Sequence, residues 1–132
     1  NAFALPNGTI VFTDDMVDLA ENDNELVAIL GHEIGHVVHR HTLRRIIQDS
    51  TLAMLMLLIT GDVSSASSIV IALPTIMLDM SYSRTFEIEA DDFAFDFLTT
   101  HQLKPDHFAN IMQRLEQYHL EQLDDEQAET DE

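Results

Sequence analysis

A mainly helical α+β fold, with a small N-terminal β-hairpin packed on a helical core, is predicted by three observations. Two short apolar runs flank a Pro-Asn-Gly turn at the start of the chain. Helical periodicity takes over at about residue 14 and persists to about residue 122. The 132 residues include no cysteine, so there is room for one core and it is held by packing alone.

The hairpin is expected from Ala2-Phe3-Ala4-Leu5 and Thr9-Ile10-Val11-Phe12, joined by Pro6-Asn7-Gly8, which supplies the fixed and positive φ values of a reversing turn. Thr13 before Asp14 and Asp15 reads as an N-cap with acids in the first turn, so a short helix should cover about 14–22. Asn22 with Glu25 three residues on resembles a capping box and opens a long helix, about 24–48. Leu26, Leu30, Ile34 and Val37, widened by Val27 and Val38, form its expected buried stripe. At about 100° per residue, His32 and His36 then project away from that stripe, with Glu33 partway between.

Residues 51–80 are greasy: Leu52 to Ile59 and Ile69 to Met80 are apolar around a small polar stretch. A helical hairpin buried in the core is favoured there over one that touches a bilayer, each arm being too short to cross alone. Met54, Met56, Met77, Met80 and Met112 are read as core filler. A helix should follow over about 81–100, with Phe86, Ala90, Phe93 and Phe97 on one stripe. The last, about 105–122, should turn Phe108, Ile111, Met112 and Leu115 inward. Asp124 to Glu132 holds six acids and no cation and is expected to lack structure, leaving residues 1–123 as the domain. Because the chain opens on Asn1, it is read as a soluble piece of a longer protein.

Six Lys+Arg against 24 Asp+Glu give a formal charge of −18. So few cations cannot build a broad phosphate-binding face, and no nucleic-acid partner is expected. Without thiolates, any metal must sit on His, Asp or Glu.

His32-Glu33-Ile34-Gly35-His36 is an HExxH pattern. Imidazoles four apart on a helix stack on one face and can share one zinc, and the Glu between them lies beside that metal, free to act as base. A catalytic zinc needs a third protein ligand and an open position. Glu87 and Asp91, four apart in Glu87-Ile88-Glu89-Ala90-Asp91, share a face, so one can reach the metal while the other accepts a hydrogen bond from a ligating imidazole. His39 and His41 read as a solvated helix end rather than a second metal site.

Three ordered stretches together carry a resemblance: Asn1-Ala2-Phe3-Ala4-Leu5-Pro6, then His32-Glu33-Ile34-Gly35-His36-Val37, then Ser83-Arg84 leading into Glu87-Ile88-Glu89-Ala90-Asp91. They resemble the catalytic domain of the HtpX and CAAX-prenyl-protease-like zinc metallopeptidases, across most of residues 1–100. The resemblance implies a compact zincin of the Glu-ligand type with one Zn2+ per chain. In it His32, His36 and Glu87 are ligands, Glu33 the general base and Asp91 the partner of a ligand. It also implies peptide-bond hydrolysis of extended or unfolded polypeptide, held along an edge strand at Asn1, Ala2, Phe3 and Ala4. Attachment of the longer protein to a membrane or cell envelope, through segments outside this chain, is implied as well.

The group that stabilises the oxyanion is not given by the pattern. Tyr82, Arg84, His101 and His107 are candidates by type, and Arg84 can equally be a structural partner of Glu87. Two other functions compete. Glu33-x-x-His36 and Glu116-x-x-His119, with Glu25 and Glu87, can be read as a ferritin-like di-iron site. A zinc-bearing but inactive client-binding module is the other, and the presence of Glu33 argues against it.

Overall fold

The computed structural model describes residues 1–62, 64, 67 and 81–130. Strands β1 (Ala2–Ala4) and β2 (Ile10–Phe12) form an antiparallel pair, with Ala2 opposite Phe12, Phe3 opposite Val11 and Ala4 opposite Ile10. The turn between them closes as its residues require. Gly8 sits at φ 86°, where a side chain would be strained, and the Leu5 N–H donates to the Thr9 carbonyl at 2.8 Å. The mainly helical α+β fold is therefore the one expected.

Helix α1 (Asp14–Leu19) is capped by the Thr13 hydroxyl, which accepts from the Met16 N–H at 3.4 Å. Helix α2 (Asp23–Val38) is capped by the Asn22 side chain, which accepts from the Glu25 N–H at 3.2 Å. The capping box is modified. The Glu25 carboxylate reaches back to the Glu21 N–H at 2.8 Å rather than to Asn22, and Arg114 clasps both its oxygens at 2.8 and 2.9 Å. Arg114 also donates to the Leu19 carbonyl at 2.8 Å, clipping the α1–α2 junction to the last helix.

The long helix expected over 24–48 is broken. Helix α3 (His41–Thr60) begins after Arg40, which takes a left-handed conformation at φ 55°. No Gly or Pro marks the break, and a non-glycine residue there costs about 1–2 kcal/mol. The bend carries His41 and Thr42 inward, where both are buried and hydrogen-bonded.

Helix α4 (Arg84–Thr100) is capped by Ser83, three residues later than expected. Helix α5 (Asp106–Thr130) runs on past residue 122 into the acidic segment expected to lack structure. Helix α2 packs chiefly on α4 and then on α5. The core cluster is Met16, Ala28, Ile29, Leu98, Phe108 and Ile111.

That packing reverses the expected face of α2. Leu26, Leu30, Ile34 and Val37 are only half-buried and Val38 is exposed, whereas Ala28, Ile29, Gly31, His32, Glu33, Gly35 and His36 are buried. The physical reason is the glycine pair. A Cβ on Gly35 would stand 2.9 Å from the Ala90 Cα and one on Gly31 would stand 2.9 Å from the Phe97 ring, so the small-residue side is where α4 comes closest. On α4 the buried line is Phe86, Ala90, Ala94 and Leu98, with Phe93 and Phe97 only half-buried. On α5, Phe108 and Ile111 are buried as expected, Leu115 is half-buried and Met112 stays exposed.

The first arm of the expected core hairpin is not buried. Leu52, Met54, Leu55, Met56, Leu58 and Ile59 are exposed on the second half of α3, Leu58 by 76%. Met54 and Met56 are therefore not core filler, and Met112 lines a cleft instead. The second arm, with Met77 and Met80, lies outside the described residues. No helix among the described residues is long and apolar enough to cross a membrane.

Candidate active site

Two consecutive turns of α2 present His32 and His36 toward α4, where the close approach of Gly35 to Ala90 brings the first turns of that helix over them. Ala90 lies between Glu87 and Asp91 in sequence, so both carboxylates arrive with it. The two Nε2 atoms are 3.0 Å apart, and Glu87 brings one oxygen to 3.4 Å from His32 and the other to 3.7 Å from His36. One donor atom from each of the three residues lies within 4.8 Å of the other two. Atoms held 2.0–2.1 Å from a common tetrahedral centre stand about 3.3 Å apart, so this set fits one zinc with little adjustment.

The far side of each imidazole is occupied. His32 Nδ1 donates to Asp91 Oδ1 at 2.9 Å. His36 Nδ1 meets His41 Nδ1 at 2.9 Å, and His41 Nε2 lies 2.8 Å from Glu89 Oε2, which Arg44 also contacts at 3.3 Å. His41 is fully buried, not the solvated helix end expected, while His39 is exposed and stacks on its ring. Five residues past His36, His41 would lie about 140° away on a continuous helix, so only the break at Arg40 brings the two together.

Glu33 lines a cleft of about 180 Å³ together with His32, His36 and Glu87, and the cleft is walled by Asn1, Ala2, Phe3 and Ala4 on one side and by Met112 and Leu115 on another. Burial pushes the Glu33 carboxyl up to about 7, with the charge of Glu87 raising it further and His32 opposing. Burial lowers His36, and a charge on neighbouring His32 lowers it further. Burial works against a charged His32 too, yet its hydrogen bond to Glu87 and the carboxylates of Glu33, Glu87 and Asp91 raise it overall. That hydrogen bond holds Glu87 below the usual carboxylate range, and burial raises Asp91.

The edge of β1 is also defined. Asn1 accepts from Thr13 and Leu5 donates to Thr9 across the hairpin, so Ala2 and Ala4, in the alternate positions, turn their backbone groups outward. The Ala4 carbonyl accepts from the Thr42 hydroxyl at 3.0 Å, and Tyr82 Oη lies 2.6 Å from the same hydroxyl. Since the Thr42 proton goes to Ala4, the Tyr82 hydroxyl is the donor to Thr42. Tyr82 lines the cleft and stacks on His36, ring centroids 4.2 Å apart, but its proton is already committed.

Of the other candidates for the oxyanion, Arg84 is exposed at the start of α4 and His101 turns Nδ1 to the Phe97 carbonyl at 2.7 Å. Neither they nor His107 line the cleft. The di-iron grouping does not assemble, because Glu25 is engaged by Arg114, and Glu116 and His119 are exposed on α5.

Comparison with known proteins agrees with this geometry. A sequence model of peptidase family M48 matches residues 1–127. The chain is 35% identical to the mitochondrial metalloendopeptidase OMA1 of Arabidopsis thaliana over 91 residues, 69% of this chain and 18% of that protein. It is 35% identical to the metalloprotease YcaL of Escherichia coli over 107 residues, 74% of this chain and 40% of that protein. A CAAX prenyl protease 1 homolog of Dictyostelium discoideum is 32% identical over 129 residues, 77% of this chain and 30% of that protein. The chain thus spans less than half the length of each of these relatives.

Proposed function

The chain belongs to peptidase family M48, a family of zinc-dependent metallopeptidases, and from that premise we propose that it is a catalytic domain hydrolysing peptide bonds in extended or unfolded polypeptide. The observation that carries the reading is the convergence of His32, His36 and Glu87 beside a buried Glu33, in a cleft edged by a β-strand. Those three side chains would hold one zinc per chain, with Asp91 orienting His32. Bound there, zinc supplies Lewis-acid polarisation of the scissile carbonyl and makes a water acidic enough to attack near neutral pH.

The chain's own residues do the rest. Glu33, buried at the wall of the cleft beside the three ligands, takes the proton of the attacking water and hands it to the departing amine. The outward Ala2 carbonyl and Ala4 N–H hold the substrate as an added strand, which favours extended backbone over any one sequence. Pairing ends at Ala4, because its carbonyl is taken by Thr42. Tyr82, tied to Thr42, packs against His36 and forms a wall of the cleft.

A membrane or cell-envelope setting for the longer protein is part of the same proposal, supported by the exposed apolar second half of α3. The test of the catalytic reading is Glu33→Gln, measured for zinc content and for hydrolysis of a casein-type substrate with and without chelator. Zinc should stay at one per chain while turnover falls by about 10²–10⁴-fold. Glu87→Ala should lose zinc as well. Unchanged turnover in Glu33→Gln at full occupancy refutes the role given to Glu33, whereas a zinc-loaded wild type without turnover favours the inactive client-binding module.

A further inference from the structure

We infer that His41 is a positioning residue for the metal site, a hydrogen-bond acceptor that fixes His36 as the tautomer with its lone pair on Nε2. The inference rests on the metal-site reading above and extends it from the ligands to a residue that touches no substrate.

An imidazole gives a metal its lone pair at one nitrogen only if the other carries the proton, and that N–H, once buried, needs an acceptor. His32 has a carboxylate for this purpose, Asp91 at 2.9 Å. His36 has no carboxylate at that distance. Its Nδ1 meets His41 Nδ1 at 2.9 Å, and both rings are buried. Two ring nitrogens at that separation share one proton, so the polarity of the pair must be set from outside.

Glu89 sets it. Its carboxylate lies 2.8 Å from His41 Nε2 and can only accept, so the His41 proton sits on Nε2 and Nδ1 is left as an acceptor. His36 must then donate from Nδ1, which frees His36 Nε2 toward His32 Nε2 and Glu87. Arg44 donates to the same Glu89 oxygen at 3.3 Å and lies over the Phe86 ring, 4.2 Å from its centroid. His41 itself stacks on the Phe86 ring, nearly parallel, with centroids 4.4 Å apart.

The chain of contacts thus runs Arg44, Glu89, His41, His36, each fixing the next. His39, His41 and Glu89 also bring one donor atom each within 4.8 Å of the others, but two of the three already have partners. Both His41 nitrogens are in use, and a guanidinium already neutralises Glu89.

Two measurements test this in the full chain. In metal-free protein, nitrogen-15 NMR of the histidine rings should find His41 protonated on Nε2 and His36 on Nδ1, and the opposite tautomer at His41 overturns the inference. Zinc affinity, read by competition with a chromophoric chelator, should fall by about 10–100-fold in His41→Phe, which keeps the aromatic stack but accepts nothing. It should recover to within about threefold of wild type in His41→Asn, whose Oδ1 takes the place of the Nδ1 acceptor. His41→Phe binding zinc as tightly as wild type, or His41→Asn losing as much as His41→Phe, overturns the acceptor role. A folded wild type that binds no zinc overturns the metal site itself, and this inference with it.

Discussion

Glu33 shows how burial prepares one residue for chemistry at a cost in stability. Its carboxyl is raised in the folded chain to about 7, from an ordinary value of 4.5. The folded state therefore holds the proton more tightly than the unfolded chain, and the stability this lends is full below the unfolded value and lost as pH rises through about 7. In metal-free protein, Glu33→Gln removes the ionisation. Its melting temperature should match wild type near pH 4 and exceed it increasingly from pH 5 to 8. The gain should approach on the order of 3 kcal/mol, since every tenfold difference in proton affinity between the two states is worth about 1.4 kcal/mol. A difference that stays flat with pH would show that Glu33 does not titrate as its burial requires. At this scale the sequence was informative: four-residue spacing set His32 with His36 and Glu87 with Asp91 on shared faces, the HExxH pattern put Glu33 beside the imidazoles, and the family resemblance divided the roles of Glu87 and Asp91. His41 was not, because a five-residue offset has no meaning on a straight helix.

At the scale of elements, two local features decide whether those residues meet. One is the seam between α2 and α4. Gly35→Ala would press a methyl against the Ala90 backbone, which cannot yield, whereas Gly31→Ala meets a Phe97 ring that can rotate. The first should cost about 1–3 kcal/mol in denaturant unfolding and weaken zinc binding by moving Glu87, and the second should cost less. Equal effects would mean that the seam is not what sets Glu87. The other feature is the left-handed Arg40 between α2 and α3. Arg40→Gly removes a side-chain penalty and should leave stability unchanged or raise it by up to about 1 kcal/mol, with zinc affinity kept. A loss of stability there would show that the Arg40 side chain, not its backbone, makes the turn. Two glycines four apart on α2 were the available sign of the seam, and the apolar stripe beside them drew attention to the wrong face. For Arg40 the sequence holds no sign at all.

The whole molecule is acidic and unevenly covered. Among the described residues, the second half of α3 carries the largest run of exposed apolar side chains, including Leu52, Leu55, Leu58 and Ile59. Exposed apolar surface of this kind is what the proposed membrane or cell-envelope setting would cover. Changing Leu55 and Leu58 together to Glu should leave thermal stability within about 1 kcal/mol, each change at an exposed site being worth less than about 0.5. It should also remove any requirement for detergent in sedimentation. A large loss of stability would instead mean that this face is covered within the fold.

By itself the sequence determined the fold class, the hairpin, the starts of α1 and α2 and the residue types of the candidate metal site, because turns, caps and ligand spacings are written within a few residues of one another. The tertiary structure alone decided which face of α2 is buried, where the long helix breaks and what stands behind His36. The first depends on how closely two helices can approach, which is set by contacts between residues more than fifty positions apart, Gly35 with Ala90 and Gly31 with Phe97, and the other two on a left-handed Arg40 that no turn residue announces.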